Sequence, residues 1–267
     1  MNRIILLASA LFISGAVFTQ QTQGRIVFER TAQLRIRIEN DNPAFANMLP
    51  KERKDRFELL FANNQTLWRS LPDVAGDEMA FTSEGGAQIR MVMPGQDDIT
   101  FTDLMSMKRT EFRDLGGKNF IVSDSVVRYN WKLSDETKEI MGHKCRKATT
   151  QRTQPSMHIN NENGKITRVE TIDTLDITAW FAPDMPVFAG PLTYQGQLPG
   201  AILEVNEADG RTSFKAIEIN EKVDSKEIKE PKGGKKITAA EFSKEREKLF
   251  REMQENGGGN INIRVRN

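Results

Sequence analysis

His143 and Cys145 are the residues whose side chains could do chemistry near neutral pH. They stand two positions apart in the segment GHKC, so on a β-strand both side chains emerge on the same face. Such a pair could form a thiolate–imidazole couple or half of a metal site. A strand cysteine that packs as a small apolar group is the simpler interpretation. We therefore predict no catalytic residue, no cofactor and no metal site, and His143 and Cys145 are the weak metal candidates of this segment.

Methionines form a second group of candidates. Met91 and Met93, and likewise Met105 and Met107, are two positions apart in segments that we predict to be strands. Core packing is the simplest interpretation of such pairs. The alternatives are an adaptable apolar groove, which flexible methionines suit, and a copper(I) site, which thioether sulfur suits.

Aromatic residues beside the glycine- and proline-rich segment GPLTYQGQLPGAILEV extend the groove hypothesis. Together with Met185 and Val187 they supply more apolar surface than the turns of that segment need. A concave apolar face with few polar groups is an ordinary ligand site. The groove candidates are Met91, Met93, Met105, Met107, Trp131, Trp180, Phe181 and Phe188.

Alternation of apolar and polar residues predicts that strands carry these side chains. Leu34, Ile36 and Ile38 alternate with arginines, and two apolar runs meet at Asn63 and Asn64, which tolerate the backbone of a tight turn. Further strands are predicted at residues 88–93, 104–112, 119–122, 126–133, 141–153 and 166–181, with a last pair around the turn EADGR at 207–211. The order predicts a mainly β (β-rich α+β) fold, built on a curved antiparallel sheet or half-barrel.

One helix is predicted after the sheet. Thr238 and Glu241 have the spacing of a capping box, in which each side chain caps a main-chain amide of the other residue. Phe242, Leu249 and Met253 then fall on one stripe, and Gly257 is a plausible end. We expect a C-terminal amphipathic helix that closes the sheet.

The N-terminal segment has the composition of a secretory signal peptide. Arg3 precedes an apolar, uncharged run from Ile4 to Val17, which is shorter than the roughly 18 to 20 residues that span a bilayer. We expect cleavage between Ala16 and Gln21, a periplasmic or secreted product, and no transmembrane segment in the mature chain. No cysteine follows the run, so we expect no lipid anchor.

These patterns divide the chain into a signal peptide at 1–20, an antiparallel β domain at 21–230, a linker with the helix at 231–256, and a glycine-rich hinge with a tail at 257–267. In the tail, Ile261, Ile263 and Val265 alternate with polar residues. The tail is either a frayed end or a strand that adds to a sheet edge. The chain carries 38 Lys and Arg against 37 Asp and Glu, and this balance argues against a nucleic-acid partner.

Three segments together resemble the GLPGLI family, secreted proteins of Gram-negative bacteria. They are WKLSDETKEIMGHKCRKATT, TAWFAPDMPVFAGPLTYQGQLPGAILEVN and IKEPKGGKKITAAEFSKEREKL, and the resemblance covers roughly residues 57–250. Positions that match the family pattern are Glu136, Thr137, Lys138, Ile140, Gly142, Lys144, Cys145, Ala179, Trp180, Gly190, Pro191, Leu198, Pro199, Gly200 and Ile202. Gln197 stands where the naming motif has its first Gly, and Ala201 where it has its second Leu.

The resemblance implies export and a β-rich fold, but no activity. We interpret the motif residues Gly142, Cys145, Gly190, Pro191, Leu198, Pro199, Gly200 and Ile202 as structural. A curved sheet closed by a helix is also loosely similar to lipoprotein carriers of the LolA type. We predict a non-enzymatic binding module that holds a lipid-like or apolar ligand in a concave β face. The alternatives are, second, an interaction protein that docks on an envelope assembly through a strand edge or the tail, and, third, copper handling or an enzyme.

Overall fold

The computed structural model describes residues 23–33, 51–72, 78–82, 88–92, 98–162 and 165–256. The strands are β1 Gly24–Gln33, β2 Glu52–Ala62, β3 Gln65–Ser70, β4 Glu78–Thr82, β5 Gln88–Val92, β6 Ile99–Asp103, β7 Lys108–Leu115, β8 Lys118–Ser125, β9 Lys132–Ile140, β10 His143–Glu162, β11 Lys165–Ala182, β12 Ala201–Glu207, β13 Thr212–Asn220 and β14 Lys235–Thr238. Two short 3₁₀ turns lie at Leu192–Tyr194 and Ser225–Glu227, and helix α1 is Ala239–Asn256.

Twelve strands form one open, curved sheet in the order β14-β8-β7-β6-β3-β2-β1-β13-β12-β11-β10-β9, while β4 and β5 pair separately. The predicted mainly β class, with one curved sheet and a C-terminal helix, is confirmed. Neighbouring strands are antiparallel except at one edge, where β14 runs parallel to β8. The sheet therefore extends past residue 230, because β14 follows the segment that we predicted to be only a linker. The similarity to LolA carriers stays a prediction.

Local turn chemistry fixes the hairpins that the sequence predicted. Asn63 and Asn64 have φ of 51° and 58° between β2 and β3, and Asp209 and Gly210 have φ of 56° and 83° between β12 and β13. Asparagine, aspartate and glycine tolerate this left-handed backbone better than other residues. Both predicted hairpins are confirmed.

Two predicted strands differ from the structure. Residues 104–112 are not one strand, because the Asp103 carboxylate accepts hydrogen bonds from the main-chain N–H of Met105 and Ser106 and turns the chain after β6. Residues 126–131 are extended but belong to no strand, and β9 begins only at Lys132. The strand predicted at residues 34–38 lies outside the described residues.

Side chains of β2 point alternately to the two faces of the sheet, and both faces are buried there. Leu59 and Phe61 point into a large core on the face that we call the core face, and residues 183–200 cover that core. Leu60 and Ala62 point to the opposite face, which we call the strap face, where Ile228 packs on them. The strap itself is residues 221–234, which lead from β13 to β14 on the far side of the sheet.

Charged residues fix the strap to the sheet. Glu58 is buried between Arg25 and Arg69, and Arg69 also pairs with Glu227 of the strap at 2.7 Å. Burial alone would raise the pKa of Glu58, but the hydrogen bonds and charges of both arginines outweigh burial and lower it. Farther along, the Glu230 carboxylate accepts a hydrogen bond from Thr110 at 2.8 Å.

Helix α1 begins as the capping box predicted. The Thr238 main-chain N–H donates to Glu241 at 2.7 Å, and the Glu241 main-chain N–H donates to the Thr238 hydroxyl at 3.2 Å. Phe242 packs edge-on against Phe120 of β8, with ring centroids 5.6 Å apart. The apolar stripe therefore seats the helix on the edge of the sheet, and the capping prediction is confirmed.

Candidate functional site

Cys145 and His143 are neighbours, but the structure does not join thiol to imidazole. The Cys145 sulfur lies 3.6 Å from the main-chain oxygen of His143, whereas the His143 ring nitrogen Nδ1 lies 2.9 Å from Asp184. Burial raises the pKa of the Cys145 thiol to about 11, so the thiol stays protonated near neutral pH. Among the described residues, no three His, Cys, Asp or Glu side chains are placed to hold a metal ion.

Trp180 and Phe181 belong to strand β11. β11 continues through both residues to Ala182, so the chain leaves the sheet only after the aromatic pair. Phe181 is fully buried in the core. The Lys138 ammonium lies 4.4 Å from the ring centroid of Trp180 and makes a cation–π contact with it.

Two of the motif glycines, Gly190 and Gly200, stand where no side chain fits. Gly200 has φ of +155°, and a Cβ there would meet the Ala182 carbonyl, 2.8 Å from its carbon. At Gly190 a Cβ would lie 2.7 Å from the main-chain oxygen of Tyr194. Both contacts involve main chain that cannot rotate away. The geometry agrees with a structural role for these motif positions.

The other motif residues surround this double bend. Pro191 precedes the 3₁₀ turn and accepts a hydrogen bond from the Tyr194 N–H at 2.9 Å. Leu198 and Ile202 are buried in the core, whereas Pro199 is exposed. Gly142, with φ of +82°, completes the turn between β9 and β10. All of these residues shape the main chain or fill the core.

Gln197 replaces the first Gly of the naming motif and makes contacts that glycine could not. Its side-chain oxygen accepts hydrogen bonds from the Tyr129 N–H at 3.1 Å and from the Trp131 indole at 3.3 Å. Its side-chain nitrogen donates to the Val127 carbonyl at 2.7 Å. One side chain therefore holds residues 126–131 against residues 183–200.

Three segments meet around Gly196 and Gln197, and we call them the rim: residues 104–107, 126–131 and 188–197. The Gly196 N–H donates to the Phe188 carbonyl at 2.7 Å, and the Val126 N–H donates to the Met107 carbonyl at 2.8 Å. Gly196 also lies against the side chains of Met107 and Leu104. The rim thus unites four groove candidates that are far apart in sequence, namely Met105, Met107, Trp131 and Phe188.

Large apolar side chains of the rim are exposed. Met105 is 78% exposed, Val127 56% and Phe188 51%. Exposed apolar residues grouped in this way mark interaction surfaces more often than isolated ones do. Val127 and Gln197 were missed by sequence reasoning, because neither belongs to a motif with known chemistry. Met91 lies in β5 opposite Met79, and Met93 lies outside the described residues.

A charged group on β6 and β7 was also missed. By sequence alone, Asp98 beside Asp97 is most simply a solvated turn residue. In the structure Asp98 is partly buried and lies 2.8 Å from Arg113. Burial raises the pKa of Asp98 to about 6, and the charge of Arg113 offsets only part of this. Arg113 also contacts Glu111 at 3.2 Å and lies over the Phe242 ring. The group links the sheet to helix α1.

Two open clefts lie away from the groove candidates. One of about 600 Å³ lies on the strap face and is lined by Gln65, Phe101, Asp103, Ile228, Lys229, Glu230 and Lys232. The other, of about 390 Å³, is lined by residues 172–176 together with Ala208, Asp209 and Arg211. None of the predicted groove residues lines either cleft.

Comparisons with known proteins find that part of the chain is similar to an uncharacterised family. A family model described as "Protein of unknown function (Porph_ging)" matches residues 131–204, a stretch that contains every motif position that we interpret as structural. No curated protein matches the chain. Among the described residues, no helix has the length and apolar character needed to cross a membrane.

Solved structures of PNGF-II are similar in fold. One, in space group C2, has a TM-score of 0.50 at 15% identity, with 85% of this chain and 33% of that chain covered. Another, in space group P21, has a TM-score of 0.48 at 14% identity, with 84% and 32% covered. The chain spans about a third of the length of PNGF-II. At this identity the first match shows the fold alone.

Proposed function

We propose that the protein is an exported, non-enzymatic binding module whose contact surface is the rim. The observation that carries the proposal is the exposure of Met105, Val127 and Phe188 on three segments that hydrogen bonds hold together. A solvent-exposed cluster of this kind loses unfavourable apolar hydration when a partner covers it.

The partner that fits the rim is an apolar segment of another protein. An acyl chain needs a concave, enclosed site, but Phe181, Met185 and Tyr194 fill the core face beside the rim and are fully buried. Side chains that project outward, like Met105 at the tip of a turn, suit the groove or pocket of a partner surface instead. Methionine adapts to irregular apolar surfaces because its side chain is unbranched and flexible.

Export and a lack of catalysis are part of the proposal. The run from Ile4 to Val17 after Arg3 supports export. The buried, protonated Cys145 thiol and the contact of the His143 ring with Asp184 argue against a nucleophile at the site where the sequence offered candidates for chemistry. We also propose that the chain is a GLPGLI protein. The support is the motif pattern and the strict need for glycine at Gly190 and Gly200.

Photo-crosslinking in the native cells tests the proposal. A photoreactive phenylalanine analogue would replace Met105, Val127 or Phe188 in turn, and Ile217 of β13 is the matched control because it is apolar and exposed elsewhere in the sheet. We expect one discrete protein adduct from the three rim positions and none from position 217. The same adduct from position 217, or no adduct from any rim position, would refute the proposal.

A second arm separates a protein partner from a lipid. The purified mature protein would be sedimented with phosphatidylethanolamine–phosphatidylglycerol vesicles. We expect no binding that depends on the rim. If the vesicles bind the wild type and binding is lost in Phe188→Lys but kept in Ile217→Lys, the partner is a lipid surface and the protein-segment proposal is wrong.

A further inference from the structure

Strands β10 and β11 extend beyond their neighbours β9 and β12 in the sheet. β9 pairs with β10 only as far as Thr149, and β12 pairs with β11 only from Ile177. The β10–β11 register continues for 12 more pairs, from Gln151 with Asp176 to Glu162 with Lys165. These pairs form a two-stranded ribbon about 40 Å long, at about 3.4 Å per residue. Such a ribbon has two edges that no described strand covers.

Hydrogen-bond parity shows which main-chain groups face the outer edge of β11. The Asp176 carbonyl accepts a hydrogen bond from the Ala208 N–H at 2.8 Å, on the β12 side of the strand. In an antiparallel strand the N–H and C=O of one residue point the same way, and the direction alternates along the chain. Ile172 and Thr174 therefore direct their N–H and C=O groups to the free edge.

The edge of β10 is less suited to receive a strand. Pro155 is the direct partner of Ile172 in the ribbon. Directly paired residues either bond to each other or both face away, so the Pro155 nitrogen faces the outer edge of β10. Proline has no N–H, and a strand added there would lack a donor at that position. The edge of β11 is therefore the open one.

The β11 edge also has the shape and charge of a peptide site. Residues 172–176 line the cleft of about 390 Å³, with the β12–β13 turn as its other wall. Ile172 is 75% exposed at its mouth. Asp173, Asp176, Asp209 and Arg211 are the charged residues among those that line the cleft in the described part of the chain. An extended segment that alternates apolar with basic residues would complement both the apolar and the acidic lining.

We propose that this edge binds the C-terminal tail of a second copy of the chain, residues 260–266, as an added β-strand. The tail alternates Ile261, Ile263 and Val265 with Asn262, Arg264 and Arg266. Its pattern is that of a β-strand with one apolar and one basic face, and each face of β11 at the cleft offers an apolar and an acidic side chain to it. The proposal is independent of the rim and assigns a self-association surface to a different part of the fold.

Reach favours a second copy over the same chain. Helix α1 packs on β8 and β14, at one end of the sheet. Nine strand positions separate β14 from β11, which is about 43 Å measured along the curved sheet at about 4.8 Å per strand. The hinge between Asn256 and Asn260 spans at most about 14 Å. Because ribbon and tail are different surfaces, the contact is head to tail and joins copies into a ring or an open series.

Fluorescence anisotropy with a labelled peptide of residues 258–267 tests the proposal on protein truncated after Gly257. We expect saturable binding that weakens about tenfold or more in Thr174→Pro, which removes an outward N–H from β11. Thr153→Pro is the matched control. Thr153 is the direct partner of Thr174, so this substitution removes an outward N–H from the edge of β10 and leaves the edge of β11 intact. Melting curves of both variants confirm that each remains folded.

Sedimentation of the full chain completes the test. We expect self-association that rises with concentration and disappears on truncation after Gly257. The proposal is overturned if the peptide does not bind, or if Thr153→Pro weakens binding as much as Thr174→Pro. It is also overturned if the full chain is monomeric and does not bind the peptide at the β11 edge, because the tail would then bind the β11 edge of its own chain. A peptide with Arg264 and Arg266 replaced by Glu should bind more weakly; equal binding would overturn the charge match.

Discussion

Gly200 is the position where we expect an added methyl group to lower the free energy of unfolding most. Gly200→Ala places a Cβ against the Ala182 carbonyl, 2.8 Å from its carbon and 3.1 Å from Pro183 Cα. The main chain of both neighbours is fixed, because the Met185 N–H donates to the Ala182 carbonyl and the Ala201 N–H donates to the Met185 carbonyl. The strain therefore cannot be relieved by a side-chain rotation.

The expected loss of stability can be estimated from two contributions. A non-glycine residue at φ of +155° costs about 1 to 3 kcal/mol in backbone strain. Forcing a methyl group into a packed site costs about 1 to 3 kcal/mol more. The sum is about 4 kcal/mol, a large part of the roughly 5 to 15 kcal/mol that stabilises a typical domain. We expect Gly200→Ala to unfold at much lower urea concentration or to fail to fold.

Gly142→Ala is the matched control. Gly142 also has positive φ, +82°, but a Cβ there meets nothing within 4 Å. It should cost only about 1 to 2 kcal/mol, the backbone contribution alone. Urea unfolding followed by the fluorescence of the three tryptophans would compare the two variants. If Gly200→Ala is no less stable than Gly142→Ala, the steric account of the motif is wrong.

Three further predictions concern single side chains. Burial raises the pKa of Asp98 from 3.8 to about 6, so the folded state binds the proton more tightly and stability falls as pH rises through that window. Asp98→Asn should flatten this part of the urea-unfolding profile, and an unchanged slope would contradict the assignment. Cys145, buried with its pKa raised to about 11, should react with a thiol reagent at pH 8 about 100-fold more slowly than in the unfolded chain; prompt labelling of the native protein would disprove its burial. Gln197→Ala removes the hydrogen bonds to Val127, Tyr129 and Trp131, so unfolding should become easier by about 2 kcal/mol and trypsin should cut faster after Arg128. Unaltered cleavage would show that other contacts hold residues 126–131.

Local signals in the sequence were sufficient for hairpins and for the helix start. Asn63 and Asn64 predicted a tight turn because few other residues accept that backbone, and Thr238 with Glu241 predicted a cap because both partners lie within one helical turn. Strand alternation likewise predicted the mainly β class. These features depend on residues a few positions apart, so no tertiary knowledge was needed.

The candidate site could be predicted only in pieces. Met105 and Met107 were chosen for strand spacing, yet they lie in a turn because the Asp103 carboxylate captures two main-chain amides there. Trp180 and Phe181 were chosen as aromatic, but their strand places Phe181 in the core. Asp98 looked solvated beside Asp97, although Arg113 is brought to it by the pairing of β6 with β7.

The sequence by itself determined that the chain forms a β-rich fold with a capped C-terminal helix, because strand period, turn residues and capping are local properties. Only the tertiary structure decided which of the apolar residues face water. Met105, Val127 and Phe188 lie on segments far apart in sequence, and Gln197 and Gly196 bring those segments together through contacts that no local pattern encodes. The same holds for the edge of β11 that no described strand covers, because β12 ends its pairing at Ile177 while β10 continues.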